Sequence, residues 1–335
     1  SVAACVPRLR GVASAVLVLV VLFDAPSFTH TPAAPPASDP RRLHERDDEV
    51  LARLDGVRDR FRLYDEFLLG ERVGQRRAVR DFRGYPAVDP LTNRRYLDVL
   101  EYARRDPGIL TDVNVRWVLP ASHFRFGTTM SFLLPLTGGA FVPRGDQIFE
   151  AKHPAPLIAW YGAATLVADP AQVLSQVRAI EEPSGERRRA VIEPAAVAQD
   201  PQLARLLTAA TSAPGSAPGT LASYAPDEIA FTIDAPREGI VVLNELTFPG
   251  WTVEVDGEPA VPVSANYLLR AVRVGSGHHA ICWRFAPPGL RILLDGYVLA
   301  LAIMLVAAAW PRRPRPATQA GPPDRGQPRS SRPVG

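Results

Sequence analysis

The sequence predicts a membrane-anchored α+β chain: an extracytoplasmic mixed α/β unit, then an antiparallel β-sandwich, the two flanked by transmembrane helices. Three observations carry this. Apolar runs at residues 1–23 and 290–310 bracket the chain. Between residues 45 and 140, helical spacing of apolar residues gives way to strand alternation and back again. From residue 228 onward, short alternating strands follow one another, separated by Gly, Pro and Asp turns.

The length of 335 residues suits two ordinary domains, and a hydrophobic content of 47% is enough for their cores. The 34 prolines gather around residues 32–40 and 214–218 and in the tail after Trp310, which marks linkers and disordered segments. Much of the formal net charge of +3 lies in that tail, where six arginines from Arg312 to Arg332 face only Asp324. The folded part is close to neutral, which excludes a nucleic-acid partner. Cys5 and Cys282 are the only cysteines, and the topology below sets them on opposite sides of a membrane, so no disulfide is expected.

Taken in order, residues 1–23 read as a transmembrane helix or as a signal-like segment. Arg8 and Arg10 supply the cytoplasmic positive flank in either case. A chain that starts at Ser1 reads as the end of a longer protein, which favours the helix. Residues 24–44 are a Pro-rich spacer. The extracytoplasmic α/β unit spans 45–140. In it Val50, Leu51, Leu54 and Val57 recur at helical spacing behind Asp47, Asp48 and Glu49, an acidic trio that reads as a solvated helix start in preference to a metal or acid/base site.

Residues 61–67 (FRLYDEF) alternate as a strand. Tyr96, Val99, Leu100 and Ala103 form a helix face that Pro107-Gly108 ends, and Val113, Val115, Trp117 and Leu119 form one inward strand face. The arginines Arg94, Arg95, Arg104 and Arg105 read as a solvated helix face, with phosphate contact as the alternative.

Residues 141–288 form the sandwich module. Asp169-Pro170 is a cap and first-turn pair for a helix over 169–180, and 211–219 is a small-residue loop. Ile229, Phe231 and Ile233 alternate, 240–246 is continuously apolar, and Trp251, Val253 and Val255 alternate again. Asp256-Gly257 suits the positive φ angles of a tight hairpin. Strands over 268–274 and 279–285 complete the set. The run 292–310, at about 1.5 Å per residue, reaches about 28 Å, close to the hydrocarbon thickness of a bilayer. Trp310 and Arg312-Arg313 then mark a cytoplasmic boundary before the Arg/Pro-rich tail of 311–335.

The most distinctive text is residues 243–259, LNELTFPGWTVEVDGEP. Phe-Pro-Gly-Trp followed by Val-Asp-Gly resembles the signature near the carboxyl end of the bacterial YfhO-like membrane proteins, multispanning members of the glycosyltransferase-C superfamily. The stretch 84–119 is similar to theirs in Gly84-Tyr85, Arg95-Tyr96 and the strand that ends in Val-Leu, whereas Ala155-Pro156-Leu157 stands where the family carries an arginine after a proline.

The resemblance implies transfer of sugar from a polyprenyl-phosphate carrier to the cell envelope. Membrane lipid and a polyprenyl-phosphate sugar or cell-envelope glycan would then be the partners. It implies a bacterial cell-membrane, multi-pass location, with 24–289 extracytoplasmic and both termini cytoplasmic. The catalytic acidic residues of such enzymes lie in the first extracytoplasmic loop, so no catalytic residue is assigned in this chain.

The residues themselves show no phosphate-binding glycine loop, no zinc spacing and no nucleophile elbow, and they indicate neither metal nor cofactor. His278 and His279, as neighbours on a strand, point to opposite faces and do not chelate together. The candidate substrate-binding set is Trp251, Glu245, Asp256, Asn266 and Tyr267, an aromatic face with carboxylate and amide groups of the kind that holds sugars. Against this, Trp251 begins an alternating strand and fits a core, and Asp256 fits its turn. A self-contained membrane-anchored surface protein, whose sandwich binds carbohydrate or a protein partner, is the alternative function.

Overall fold

A strand whose alternate residues are both apolar needs cover on both faces, and residues 240–243 are built in this way. In the computed structural model they form the centre of a sheet with a hydrophobic cluster on each side. The structure describes residues 40–309 apart from 58–59, 67–68, 70–72, 83–88, 121–135, 137–138, 146–147, 182–183, 208–214 and 288. The expected segments 1–23 and 311–335, most of the spacer and Gly84-Tyr85 lie outside the described residues.

The elements run α1 (Pro40–Leu51), β1 (Arg62–Asp65), α2 (Val73–Arg77), α3 (Pro90–Ala103), α4 (Ile109–Asp112), β2 (Val115–Leu119), β3 (Phe141–Pro143) and β4 (Phe149–Ala151). They continue with β5 (Ile158–Tyr161), β6 (Ala164–Leu166), α5 (Pro170–Ala179), β7 (Ala190–Ile192), α6 (Pro194–Gln199) and a 3-10 helix (Pro201–Leu207). Then come β8 (Ser216–Pro218), β9 (Thr220–Tyr224), β10 (Glu228–Ala235), β11 (Gly239–Leu246), β12 (Trp251–Val255), β13 (Glu258–Ala260), β14 (Val263–Ala265), β15 (Leu269–Val274), β16 (Gly277–Phe285) and α7 (Leu290–Ala309).

The fold is mixed α/β with two antiparallel sheets and a mixed first sheet, in which β1 runs parallel to β2 and the other pairs are antiparallel. The first sheet has the order β1-β2-β4-β3, the second β14-β15-β11-β5-β8 and the third β13-β12-β16-β10-β9, while β6 and β7 pair in parallel. The second and third sheets enclose the sandwich core of Ile158, Trp160, Phe231, Leu243, Val253 and Trp283. The other face of the second sheet presents Ala159, Tyr161, Ile240, Val242, Leu269 and Ala271 to a cluster that includes Val99, Val173 and Val177 of α3 and α5. A third cluster packs Leu51, Leu54 and Val57 with Leu63, Trp117 and Leu119. β3 and β4, which the sequence grouped with the sandwich, instead extend the first sheet from β2.

Local chemistry explains the helix starts. Asp89 accepts from the Thr92 amide at 2.8 Å and Asp169 from the Ala171 amide at 3.0 Å, each with a proline in the first turn behind it. Three expectations are corrected. The helix near Val50 starts at Pro40, so Asp47, Asp48 and Glu49 lie in its last turns and cap nothing; Asp47 is buried and Asp48 pairs with Arg77. Val115 pairs with Arg62 but Trp117 pairs with Leu63, so one extra residue in β2 throws Val115 and Trp117 into different clusters. Ser216–Pro218, expected as loop, pairs with β5 as an edge strand.

The two-residue turn between the paired Val255 and Glu258 has φ of 56° at Asp256 and 84° at Gly257, as the tight hairpin requires. α7 forms at the expected 290–310 position and belongs to a separate unit that begins at Ala286. Among the described residues no helix is long and apolar enough to cross a membrane; the side chains of 290, 291, 294 and 306–309 within α7 are not among them.

Two glycines separate backbone strain from close packing. A Cβ on Gly257 meets only open space, so Gly257→Ala costs about 1 kcal/mol through its positive φ. A Cβ on Gly239 runs into the Trp160 indole and the Tyr161 carbonyl, so Gly239→Ala is expected to cost about 3 kcal/mol or more. Urea midpoints of the two variants check the order, and equal midpoints would contradict this packing of β11 on β5.

Candidate functional site

The site grows from the end of β11. Leu243 pairs with Arg270 while Leu246 pairs with Leu269, three steps along β11 against one along β15. The bulge frees Asn244 and Glu245 from the ladder and re-aims them. Asn244 is buried and donates to the carbonyls of Asp112 and Pro156, at 3.3 Å each. Glu245 turns toward the first and third sheets. It accepts from Arg62 Nη2 of β1 at 2.6 Å, from Arg80 Nη2, and from the Tyr224 hydroxyl of β9 at 2.8 Å. Arg80 also donates to Asn114 Oδ1 at 3.0 Å and lies 5.1 Å from the centre of the Tyr224 ring.

After the bulge the Pro249-Gly250 turn, with Gly250 at φ 103°, delivers Trp251 into β12. Arg270 stacks on it, the guanidinium carbon 3.4 Å from the ring centre, and donates Nε to the Leu246 carbonyl at 2.9 Å. Phe248 stands edge-on to Trp251 at 6.0 Å and to Phe285 at 5.5 Å. Arg270 Nη1 and Arg80 Nε are buried and meet no hydrogen-bond acceptor among the described residues. Burial opposes ionisation of Glu245, but Arg62, Arg80 and Arg270 outweigh it and hold the carboxyl at about 2. Burial also pulls Arg270 down to about 10, against the pull of Glu245. Both groups are charged at neutral pH.

The five sequence-predicted residues fall in three places. Glu245 and Trp251 meet through Arg270, and Trp251 is 8% exposed, packed and not presented. Asn266 and Tyr267 occupy the turn between β14 and β15, both at positive φ (47° and 76°). There Asn266 Oδ1 accepts from the Val191 amide at 2.8 Å, while the Tyr267 hydroxyl donates to Asp98 at 2.6 Å and its ring lies under Arg95 at 4.7 Å. Arg95 is thereby taken out of the expected solvated face, because it also donates to both oxygens of Glu193.

Asp256 stays at its hairpin tip. It accepts from the Ala280 amide at 2.8 Å and lies 2.7 Å from His279 Nδ1, contacts that lower its pKa. His278 faces away, to Asp234. Among the described residues no group of three or more His, Cys, Asp and Glu could hold a metal ion.

No family model and no curated protein matches the chain. One solved structure, an arabinofuranosyltransferase AftD from mycobacteria, is similar over 30% of this chain and 8% of that chain, with 21% identity and a TM-score of 0.24. The chain thus spans less than a tenth of that protein, and likeness at this level carries nothing about fold or activity.

Arg62, Arg80, Tyr224 and Arg270 were not among the residues the sequence singled out. A partial signal was present in two of them: Arg62 and Arg270 stand beside apolar residues in the strands RLYD and LRAVRV, which also carry Asp65 and Arg273. A charge in such a run is buried and therefore partnered. A second network follows the same rule. Asp112 is buried against Arg187 Nε at 2.6 Å and Arg178 Nη1 at 2.8 Å; burial raises its pKa and the two arginines oppose that.

Glu245 has its folded pKa depressed from 4.5 to about 2. Such a group contributes stability that is present above about pH 4.5 and lost as pH falls through about 2. Its share is on the order of 3 kcal/mol. Glu245→Gln is expected to lose this part of the acid dependence and to start about 3–5 kcal/mol lower at neutral pH, because the arginines stay buried without it. Urea midpoints at pH 7 and pH 3 for parent and variant test this, and parallel losses in the two would remove Glu245 from the acid response.

Proposed function

We propose that the chain is a non-catalytic, membrane-proximal module on the extracytoplasmic side of a YfhO-like membrane glycosyltransferase, one that draws on a polyprenyl-phosphate sugar donor for cell-envelope glycosylation. The observation that carries this reading is α7. Ile292, Leu293, Tyr297, Val298, Leu299 and Ile303 expose large apolar surfaces, between 60% and 77% of each residue. Side chains of this kind, exposed along a helix of twenty residues, are stable against lipid and costly against water. Only residues 286–289 separate α7 from the last sandwich strand along the chain. The text of 243–267 supports the family reading.

A second reading, a self-contained membrane-anchored surface protein whose sandwich binds carbohydrate or a protein partner, is favoured by one observation. Phe285 is 37% exposed beside Phe248 and Trp251, an aromatic edge open to solvent of the type that sugars stack on.

The topology is testable in intact bacterial cells. With Cys5 and Cys282 replaced by serine, Ser276→Cys is expected to react with a membrane-impermeant maleimide, and Thr318→Cys only after permeabilisation. Labelling of both from the same side would overturn the crossing by α7. Titration of the full chain with envelope glycan separates the two readings: a saturable fluorescence change abolished by Phe285→Ala favours the second.

A further inference from the structure

The cluster around Glu245 is unbalanced. Among the described residues, three guanidinium groups, Arg62, Arg80 and Arg270, are buried or nearly so around one carboxylate, which leaves two positive charges in excess. Arg62 and Arg80 share Glu245, and Tyr224 adds a neutral hydroxyl to the same oxygen that Arg80 holds. Arg270 is 3% exposed; its face is taken by Trp251 and its Nε by the Leu246 carbonyl, while Nη1 meets no acceptor among the described residues, and neither does Arg80 Nε. A buried charge without a counter-charge costs several kcal/mol, and a buried donor without an acceptor about 1–3 kcal/mol more. An anion that met these donors would remove both costs.

We propose that Arg270, backed by Arg80 and Arg62, forms a binding site for a phosphoryl group. Two features select this class. An excess of two charges is matched by a phosphate dianion, whereas a carboxylate neutralises only half of it. The planar guanidinium fork, held in place by the Trp251 face and the Leu246 carbonyl, presents its remaining donors in the geometry that phosphate oxygens accept. Tyr224, which is 45% exposed and lies against both Arg80 and Glu245, marks where the cluster meets solvent. The site does not depend on the placement of α7, and the phosphoryl group is carried either by free phosphate or by a lipid headgroup.

The test uses the full chain in detergent at constant ionic strength. Inorganic phosphate is expected to raise Tm saturably by a few degrees and to change Trp fluorescence, at a concentration at least tenfold below that at which acetate acts. Arg270→Lys keeps the charge but loses the fork, and weakens phosphate binding about tenfold. Glu245→Gln lowers Tm in the absence of phosphate yet tightens phosphate binding, because the buried excess rises from two charges to three. A purely structural cluster would lose stability in this variant with no gain in affinity, so the measurement decides even where the arginine variants fail to fold. Equal responses to phosphate and acetate, or no tightening in Glu245→Gln, would overturn the site. Dihexanoyl phosphatidate compared with inorganic phosphate, with dihexanoyl phosphatidylcholine as control, assigns the source: preference for phosphatidate indicates a lipid headgroup, and parity indicates free phosphate.

Discussion

The carboxylate of Glu245 is the tie on which the arrangement of the three sheets depends. It leaves β11 of the second sheet at a bulge and holds Arg62 of the first sheet and Tyr224 of the third, with Arg80 between them. Apolar packing is non-directional and would accept several relative settings of these layers. An ion cluster with fixed donors accepts few, since a shift of an ångström leaves a guanidinium buried and unpaired. The two hydrophobic clusters on either side of the second sheet therefore supply the bulk of the stability, and the polar junction at its edge sets the register.

The second sheet can be buried on both faces because its strands alternate between two apolar partners. Val241 and Leu243 enter the sandwich, while Ile240 and Val242 enter the cluster shared with α3 and α5. The third sheet has one buried face, and β10 shows the consequence: Ile229, Phe231 and Ile233 are buried while the residues between them are not. Polar networks mark where layers meet. Asp112 of α4 joins Arg178 of α5 and Arg187, and Arg95 with Glu193 and Tyr267 fastens α3 to the turn between β14 and β15.

Much of this is legible in the sequence where one physical rule acts alone. The spacing of Ile229, Phe231 and Ile233, the Asp169-Pro170 helix start and the Asp256-Gly257 turn each answer to local chemistry, and each is found as written. Rules that act across distance leave weaker marks. The extra residue in β2 that parts Val115 from Trp117 has no signature in alternation, and the acidic trio at 47–49 resembles a helix start only until Pro40 is seen to begin the helix. The candidate site was half legible: aromatic and carboxylate types drew attention to Trp251 and Glu245, but the arginines that cover the first and neutralise the second lie far away in the chain. What joins them is a bulge, a feature of pairing and not of composition.

The bulge on β11 has one more consequence, for the order in which the protein is assembled. β11 takes its partners from both directions along the chain, β5 upstream and β15 downstream, so the central sheet rests on non-local pairings, the kind that form slowly. Without β11, β5 has one edge unpaired and Trp160 uncovered, surfaces that other chains can join. The arginine cluster completes only when Arg270 arrives on β15. Its assembly therefore marks a chain in which all three sheets have found their places.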